Sequence, residues 1–433
     1  MGVSVCADLK VEAIRNGVIS EIVLVNVSGE NKPALMSMLT STLADYQVRV
    51  LDIGQAVIHD ELSLGMLIQL PNRNKTAPLK TELLERTRKL GAVIRFTDVT
   101  SDEYADWVAQ QGKPRYIVTM LASGVAAQQL AAVVAIVERH GLGIDGIRRL
   151  SGRLALGRGT SARACVEISL RGELADARGL KAQLLEAAGR LTFDFSVQED
   201  TVYRRNRRLV AFDMDSTLIK AEVIDELARV HGVGDEVAAI TDRAMRGEID
   251  FKESFRRRVA LLQGLSARAF ADVAAAVPLT DGAQRLISAL RHFGYRTAII
   301  SGGFTYVGDR LKRELGIDYV FANELETRDG VVTGAVVGEI VDAERKASLL
   351  RSLCSKEGIA LAQSIAIGDG ANDLPMLATA GLGVAFHAKP IVRESASHAI
   401  SNFGLDSVLY LMGFTDRDIE QAAANDQSSA AKS

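Results

Sequence analysis

The sequence is short of cysteine, of long apolar runs and of any excess charge, and each shortage excludes a class of protein. Its three cysteines, Cys6, Cys165 and Cys354, are widely separated and odd in number. None stands in a CxxC or Cys/His spacing, which argues against a disulfide framework or a zinc site and fits reducing cytosol. No apolar run approaches the ~18 residues of a membrane span. Asp8, Lys10, Glu12 and Arg15 occupy the stretch where a signal peptide needs its apolar core. The chain begins Met-Gly, but Cys6 stands where an N-myristoylation pattern wants Ser or Thr, so the first residues read as a frayed leader. With 51 basic against 54 acidic residues the net charge is −3, which supplies no field to draw the chain to nucleic acid or an anionic membrane. One basic cluster, Arg204, Arg205, Arg207 and Arg208, falls between candidate domains and reads as a solvated connection.

What is present is an ordinary soluble composition, 48% hydrophobic and 24% charged, spread over 433 residues. That length exceeds one compact core, and a prior of roughly 150 residues per domain suggests about three. Residues 22–27 read as a strand, followed by a helix carrying Leu35, Met38, Leu39 and Leu43 on one face. Strands over Val48–Val57 and Leu62–Leu70, a helix over Leu79–Leu90 and a strand over Val93–Phe96 complete a βαββαβ order. The order repeats about ninety residues on. A strand at Tyr116–Leu121 leads to a helix bearing Leu130, Val133, Val134 and Val137. Strands at Ile144–Leu150 and Ala164–Leu170, a helix at Leu180–Ala188 and a strand at Leu191–Val197 follow. Such a repeat predicts two ferredoxin-like domains, residues 20–100 and 114–200, joined by the charged linker Asp98–Pro114.

From Leu209 the texture changes to short apolar strands that run into Asp or Ser and Gly, with helical stretches between them. This is the α/β pattern of a parallel sheet with crossover helices, expected over 205–415. A polar tail, 416–433, ends the chain.

Three strand ends carry the candidate chemistry. Leu209–Phe212 runs into Asp213-Met214-Asp215-Ser216-Thr217, Thr297–Ile300 into Ser301-Gly302-Gly303, and Ser364–Ile367 into Gly368-Asp369-Gly370-Ala371-Asn372-Asp373. In an open parallel sheet, ligands bind beyond the carboxyl ends of the strands, so the three tips are expected to share one crevice. Aspartates gathered there need a hard cation, and Mg²⁺ with its preference for oxygen fits best. Asp213 and Asp369, with the backbone carbonyl of Asp215, are the candidate ligands; Asp373 stands behind them. An ionised aspartate can attack phosphorus unaided, which makes Asp213 the candidate nucleophile. Asp215 can protonate the leaving oxygen, and Ser301, Gly302 and Lys346 can bind phosphoryl oxygens.

These segments, in this order, resemble the four motifs of the haloacid dehalogenase superfamily of phosphotransferases and, within it, the phosphoserine phosphatase family. The resemblance covers roughly residues 205–415. It implies a helical cap over about 220–277, where Phe251, Phe255, Val259 and Leu262 fall on one helical face. It also implies that Glu222 meets the ammonium group of phosphoserine, Arg258 its carboxylate, Met245 and Phe251 its apolar part, and that Asn372 lies near the phosphate. A carboxylate-bearing substrate does call for an arginine away from the metal. The N-terminal repeats resemble ACT domains. Ser28–Leu35 is similar to that family's Gly-x-Asp-x-Pro-Gly turn, with Asn31 in place of Asp and Ala34 in place of Gly. This implies an amino-acid effector, with Gly29 and Asn31 as candidate contacts, and a homodimer. Two further functions stay open: a phosphatase or phosphotransferase for another small phosphate ester, and a non-enzymatic amino-acid sensor.

Overall fold

The computed structural model describes residues 21–153, 163–396 and 398–430. Cys6, the leading residues and the last three of the tail lie outside them. The chain divides into two compact units, residues 1–112 and 113–433.

In the first unit, β1 (Glu21–Glu30), β2 (Arg49–Ile58), β3 (Glu61–Leu70) and β4 (Val93–Val99) form an antiparallel sheet of order β2-β3-β1-β4. The period-two pattern of β1 and β3 turns Val23, Val25, Leu62, Leu64 and Met66 to one face. Leu35, Leu39 and Leu43 of the helix Pro33–Asp45, and Leu79 and Leu83 of Thr76–Lys89, close that core. The expected linker is not irregular, because Ser101–Ala109 is a helix. Thr100 and Glu103 form a capping box, the Glu103 amide donating to the Thr100 hydroxyl at 3.2 Å and the Thr100 amide to the Glu103 carboxylate at 2.8 Å.

The second βαββαβ segment repeats that topology with β5 (Arg115–Ala122), β6 (Gly143–Arg149), β7 (Ala164–Arg171) and β8 (Asp194–Glu199). It is not a separate sheet. Eleven strands run in the order β12-β11-β10-β9-β13-β14-β15-β8-β5-β7-β6. The added strands are β9 (Leu209–Phe212), β10 (Arg296–Phe304), β11 (Tyr319–Arg328), β12 (Val331–Val337), β13 (Ser364–Gly368), β14 (Leu382–Phe386) and β15 (His398–Ile400). The six from β11 to β15 are parallel. The join is short: His398 pairs with Ser196 and Ala399 with Phe195, antiparallel. Three apolar strands buried end to end, β9 with Leu209, Val210, Ala211 and Phe212, then β13 and β14, form the centre.

Between β9 and β10 the chain leaves the sheet. An isolated antiparallel bridge, Ile219 with Leu279, closes the neck of the excursion. Four helices fill it: Val223–His231, Gly234–Met245, Phe251–Ala260 and Ala267–Ala276. The third begins where Asp250 accepts from the Glu253 amide at 2.8 Å, and it buries Phe255 and Val259.

Two expectations are corrected. The segment from 416, expected as a polar tail, is a helix over Asp416–Ala430 whose Ile419 and Ala422 are buried in the main core. Arg204 and Arg207, expected in a solvated connection, are only 8% and 5% exposed. Cys165 and Cys354 are free and buried. Among the described residues no helix is long and apolar enough to cross a membrane.

Candidate active site

The central strands end level with one another. Phe212 of β9 pairs with Ile299 of β10 on one side and with Ile367 of β13 on the other. The residues that follow therefore meet at one edge, and the Asp213 amide donates to the Ile367 carbonyl at 2.8 Å. Asp213, Asp369 and Asp373 each place a carboxylate oxygen within 4.8 Å of the others. Three acids so close do not ionise together in a part-buried site. Burial, followed by the charges of Asp213 and Asp373, pushes Asp369 up to about 7. Burial and Asp213 raise Asp373 as well, against the pull of Lys346.

Lys346 sits in the first turn of the helix Ala343–Lys356, whose start is fixed by Asp342 accepting from the Arg345 amide at 2.8 Å. The side chain is fully buried, with Nζ 2.9 Å from Asp213 Oδ1 and 2.7 Å from Asp373 Oδ1. Burial alone would depress its pKa, but Asp213 and Asp373 outweigh that and hold the ammonium above its ordinary range. Gly368 admits this packing, since a Cβ there would lie 2.4 Å from Asp373 Cγ.

Asp215 accepts from the Val223 amide at 3.2 Å. Its carboxyl is raised well above the usual range, first by burial and then by the charges of Glu222 and Asp213. Ser216 between them holds a left-handed φ of 56°, a conformation costly for a residue with a side chain. It is stabilised here by the Ser216 hydroxyl donating to Glu222 Oε1 at 2.8 Å. Ser301 is buried and its Oγ accepts from the Gly303 amide at 3.0 Å, which leaves the hydroxyl proton free to donate elsewhere. Phe251 starts the third cap helix and lies over Gly302, where a Cβ would stand 3.3 Å from its Cζ.

Arg258 of the same helix is half-buried. Its Nε has no hydrogen-bond partner among the described residues. Loss of hydration lowers its pKa, while Asp225, Glu222 and Asp215 pull the other way. Glu222 precedes the first cap helix, and its carboxyl is raised by lost hydration, against the hydrogen bond from Ser216. Asn372 is half-buried in the short turn Ala371–Asp373. Met245 ends its cap helix 64% exposed. Gly29 and Asn31 belong to the first unit. A Cβ on Gly29 would meet Ala92 at 2.9 Å, and the Asn31 amide donates to the Asp60 carbonyl.

Two contributors went unassigned in the sequence. Thr217 donates its hydroxyl to Asp369 Oδ1 at 3.1 Å. Asn323, buried in β11, donates to the Gly302 carbonyl at 2.7 Å and accepts from the Val341 amide at 2.8 Å, tying the Ser301–Gly303 loop to the approach of Lys346. Its signal was an amide inside an apolar strand, Val320-Phe321-Ala322-Asn323, because a polar side chain there must find partners.

The arrangement is one of opposed charge at a sheet edge: paired acids able to hold a cation, a lysine locked against two of them, and an acid whose burial favours its protonated form beside them. Comparison with known proteins agrees with it. The model for haloacid dehalogenase-like hydrolases matches residues 210–378, and that for the ACT domain matches 21–97. A phosphoserine phosphatase of Streptomyces coelicolor is 41% identical over 92% of this chain and 94% of its own length. One of Mycobacterium tuberculosis is 39% identical over 93% and 96%. A crystal structure of a probable phosphoserine phosphatase from Vibrio cholerae, 33% identical, superposes with a TM-score of 0.56 over 73% of this chain and 90% of its own. With near-complete relatives at that identity and a parallel sheet bearing these side chains, the chain belongs to the phosphoserine phosphatase family of the haloacid dehalogenase-like hydrolases.

Proposed function

We propose that this chain hydrolyses O-phosphoserine to serine and phosphate through an aspartyl-phosphate on Asp213. The observation that carries the reading is Asp213 Oδ1 fixed 2.9 Å from the buried Lys346 ammonium, beside Asp369 and at the foot of a helical cap. Asp213 attacks phosphorus as its carboxylate, forming the acyl-phosphate bond as the seryl C–O–P bond breaks at phosphorus. Asp215, held protonated, gives its proton to the departing seryl oxygen. Asp215 is then a base: it takes a proton from water, whose oxygen attacks the acyl-phosphate and frees Asp213 and inorganic phosphate. Lys346, the Ser301 hydroxyl and the Gly302 amide offset the charge on the phosphoryl oxygens. Asn372 lies at the phosphate end of the pocket in this reading.

The donor set fits a hard cation: Asp213 and Asp369 carboxylates with the Asp215 carbonyl would hold Mg²⁺, and Asp373 would steady the lysine behind them. When bound, that ion supplies charge neutralisation and polarisation of a phosphoryl oxygen. At the cap, the unpartnered Nε of Arg258 suits a substrate carboxylate, Glu222 an ammonium, and Phe251 the short carbon chain, with Met245 reaching it if the cap closes further.

The first unit, in this reading, takes a free amino acid near Gly29 and Asn31 and adjusts the rate, and the protein works as a homodimer in the cytosol. Phosphate release from phosphoserine, with and without Mg²⁺, tests the catalytic claim. Asp213→Asn is expected to abolish it, and full activity in that variant ends the reading. Equal turnover of phosphothreonine or a sugar phosphate would move the substrate to another small ester.

A further inference from the structure

The antiparallel half of the long sheet has two unlike faces. Val118, Met120, Val166 and Ile168 pack beneath the helices Ala127–Arg139 and Ala177–Leu191. The alternate residues Ile117, Glu167 and Ser169 line instead a cavity of ≈ 420 Å³, walled by Tyr295 and Met412–Phe414 from the catalytic part of the same unit. It is separate from the Asp213 crevice, with which it shares no lining residue.

The charges around it do not balance. Arg148, Arg204 and Arg205 line it against Glu167 and Asp200, three positive against two negative. Glu167 is shared, by Arg204 at 2.6 Å and Arg148 at 3.1 Å, and Asp200 is held by Arg205 at 2.9 Å. Arg204 is 8% exposed, and its Nε has no partner among the described residues. Beside it Arg207, more deeply buried, donates among the described residues only to neutral oxygens, Gln198 Oε1 at 2.8 Å and the Ser364 carbonyl at 3.5 Å. Its Nε is unpartnered too. Burial, and then the neighbouring charge of Arg204, bring Arg207 down to about 10. Two adjacent guanidinium groups out of water, one sharing its carboxylate with Arg148 and the other facing neutral oxygens, are costly, and an oxyanion offsets that cost better than water does. The hydroxyls of Ser169 and Tyr295 add donors to the lining.

We infer that this cavity between the second βαββαβ sheet and the catalytic part binds a small oxyanion, a carboxylate or a phosphate group, through Arg204. Both chemistries reach it from sources at hand, a free amino acid or released inorganic phosphate, and titration separates them.

The test is calorimetry on the full chain with inorganic phosphate and, separately, with L-serine. A chelator is present, so the unneutralised acids of the catalytic crevice repel anions. One titrant is expected to bind in the cavity, and the one whose binding the Arg204 variant weakens identifies the source. Arg204→Lys keeps the charge beside Glu167 but loses the Nε donor and the forked geometry, and is expected to weaken binding about tenfold. Tyr295→Phe, which alters no charge, guards against a folding artefact and is expected to weaken it about threefold. The inference fails if neither titrant binds below about 10 mM, or if both variants bind as the parent does. Because heat rather than turnover is read, a chain inactive on phosphoserine would leave this result intact.

Discussion

Gly303 and Asp215 are packed so closely that a Cβ on the glycine would stand 2.3 Å from Oδ2 of the aspartate, with Met214 Cε at 2.5 Å on the other side. The glycine is thus a spatial requirement of the acid, not a source of flexibility, since only hydrogen fits between two strand ends that carry reacting groups. Gly303→Ala must push Asp215 away from the amide of Val223 that orients it. A displacement of this size is expected to lower kcat about 100-fold, with circular dichroism and thermal midpoint nearly unchanged. Unaltered kcat would show that Asp215 tolerates displacement and is not the proton donor.

In the proposed scheme Arg258 serves substrate recognition and leaves the chemistry to others. It touches no reacting group there, and its Nε has no hydrogen-bond partner among the described residues. Arg258→Ala is expected to lower kcat/KM for phosphoserine roughly 10- to 100-fold, the worth of a charge-assisted pair. For phosphoethanolamine, which lacks the carboxylate, kcat/KM should barely move. A uniform loss on both substrates would assign the arginine to the phosphate or to the cap's folding.

Much of this site was legible before any coordinates. The three strand tips announce themselves because apolar β-strands seldom run directly into Asp or Ser-Gly-Gly, and a parallel sheet dictates that such tips meet. Lys346 is different. Nothing local marks a lysine in a polar helix as fully buried, and Lys346 gained its weight only from standing in order with the three strand tips. The helix Ser101–Ala109 was readable, since Thr100-Ser101-Asp102-Glu103 is a capping box, but charge density drew the segment into a linker. The fusion of two sheets through the three-residue strand His398–Ile400 was not readable, because so short a pairing leaves no periodicity. The burial of Arg204 and Arg207 follows from that fusion and was hidden with it.

The acid cluster gives a pH signature without metal. Asp369 titrates near 7 in the folded chain but near ~3.9 when unfolded. Its raised value means the folded state holds the extra proton, so its contribution to stability is complete below about pH 4 and lost as pH rises through 7. In chelator, the thermal midpoint should therefore fall between about pH 4 and 7, with Asp373, raised to about 6 by burial and Asp213, adding to the slope. Saturating Mg²⁺ should flatten that slope, and Asp369→Asn should make it distinctly shallower and remove the response to metal. A slope as steep in Asp369→Asn as in the parent would place its origin elsewhere.

His398 carries the opposite sign at the sheet junction. It pairs with Ser196 across the join, Nδ1 lying 2.9 Å from the Ser196 hydroxyl. Burial, reinforced by Arg207 and Lys181, lowers its pKa to about 3. The unfolded chain takes up that proton near ~6.5, so the stability the neutral ring contributes is whole above 6.5 and is lost progressively as pH falls towards 3. The groups facing it offer no carboxylate to offset a charged imidazole: Ser196 and Gln198 are neutral, and Arg207 repels it. His398→Gln keeps a hydrogen-bonding side chain but cannot charge. Its stability at neutral pH should match or fall slightly below the parent's, while its loss of stability between pH 6.5 and 4 should be distinctly smaller, as read by urea midpoints at each pH. Parallel acid curves for the two proteins would mean that His398 is protonated in the folded chain, and that the junction opens well before the rest unfolds.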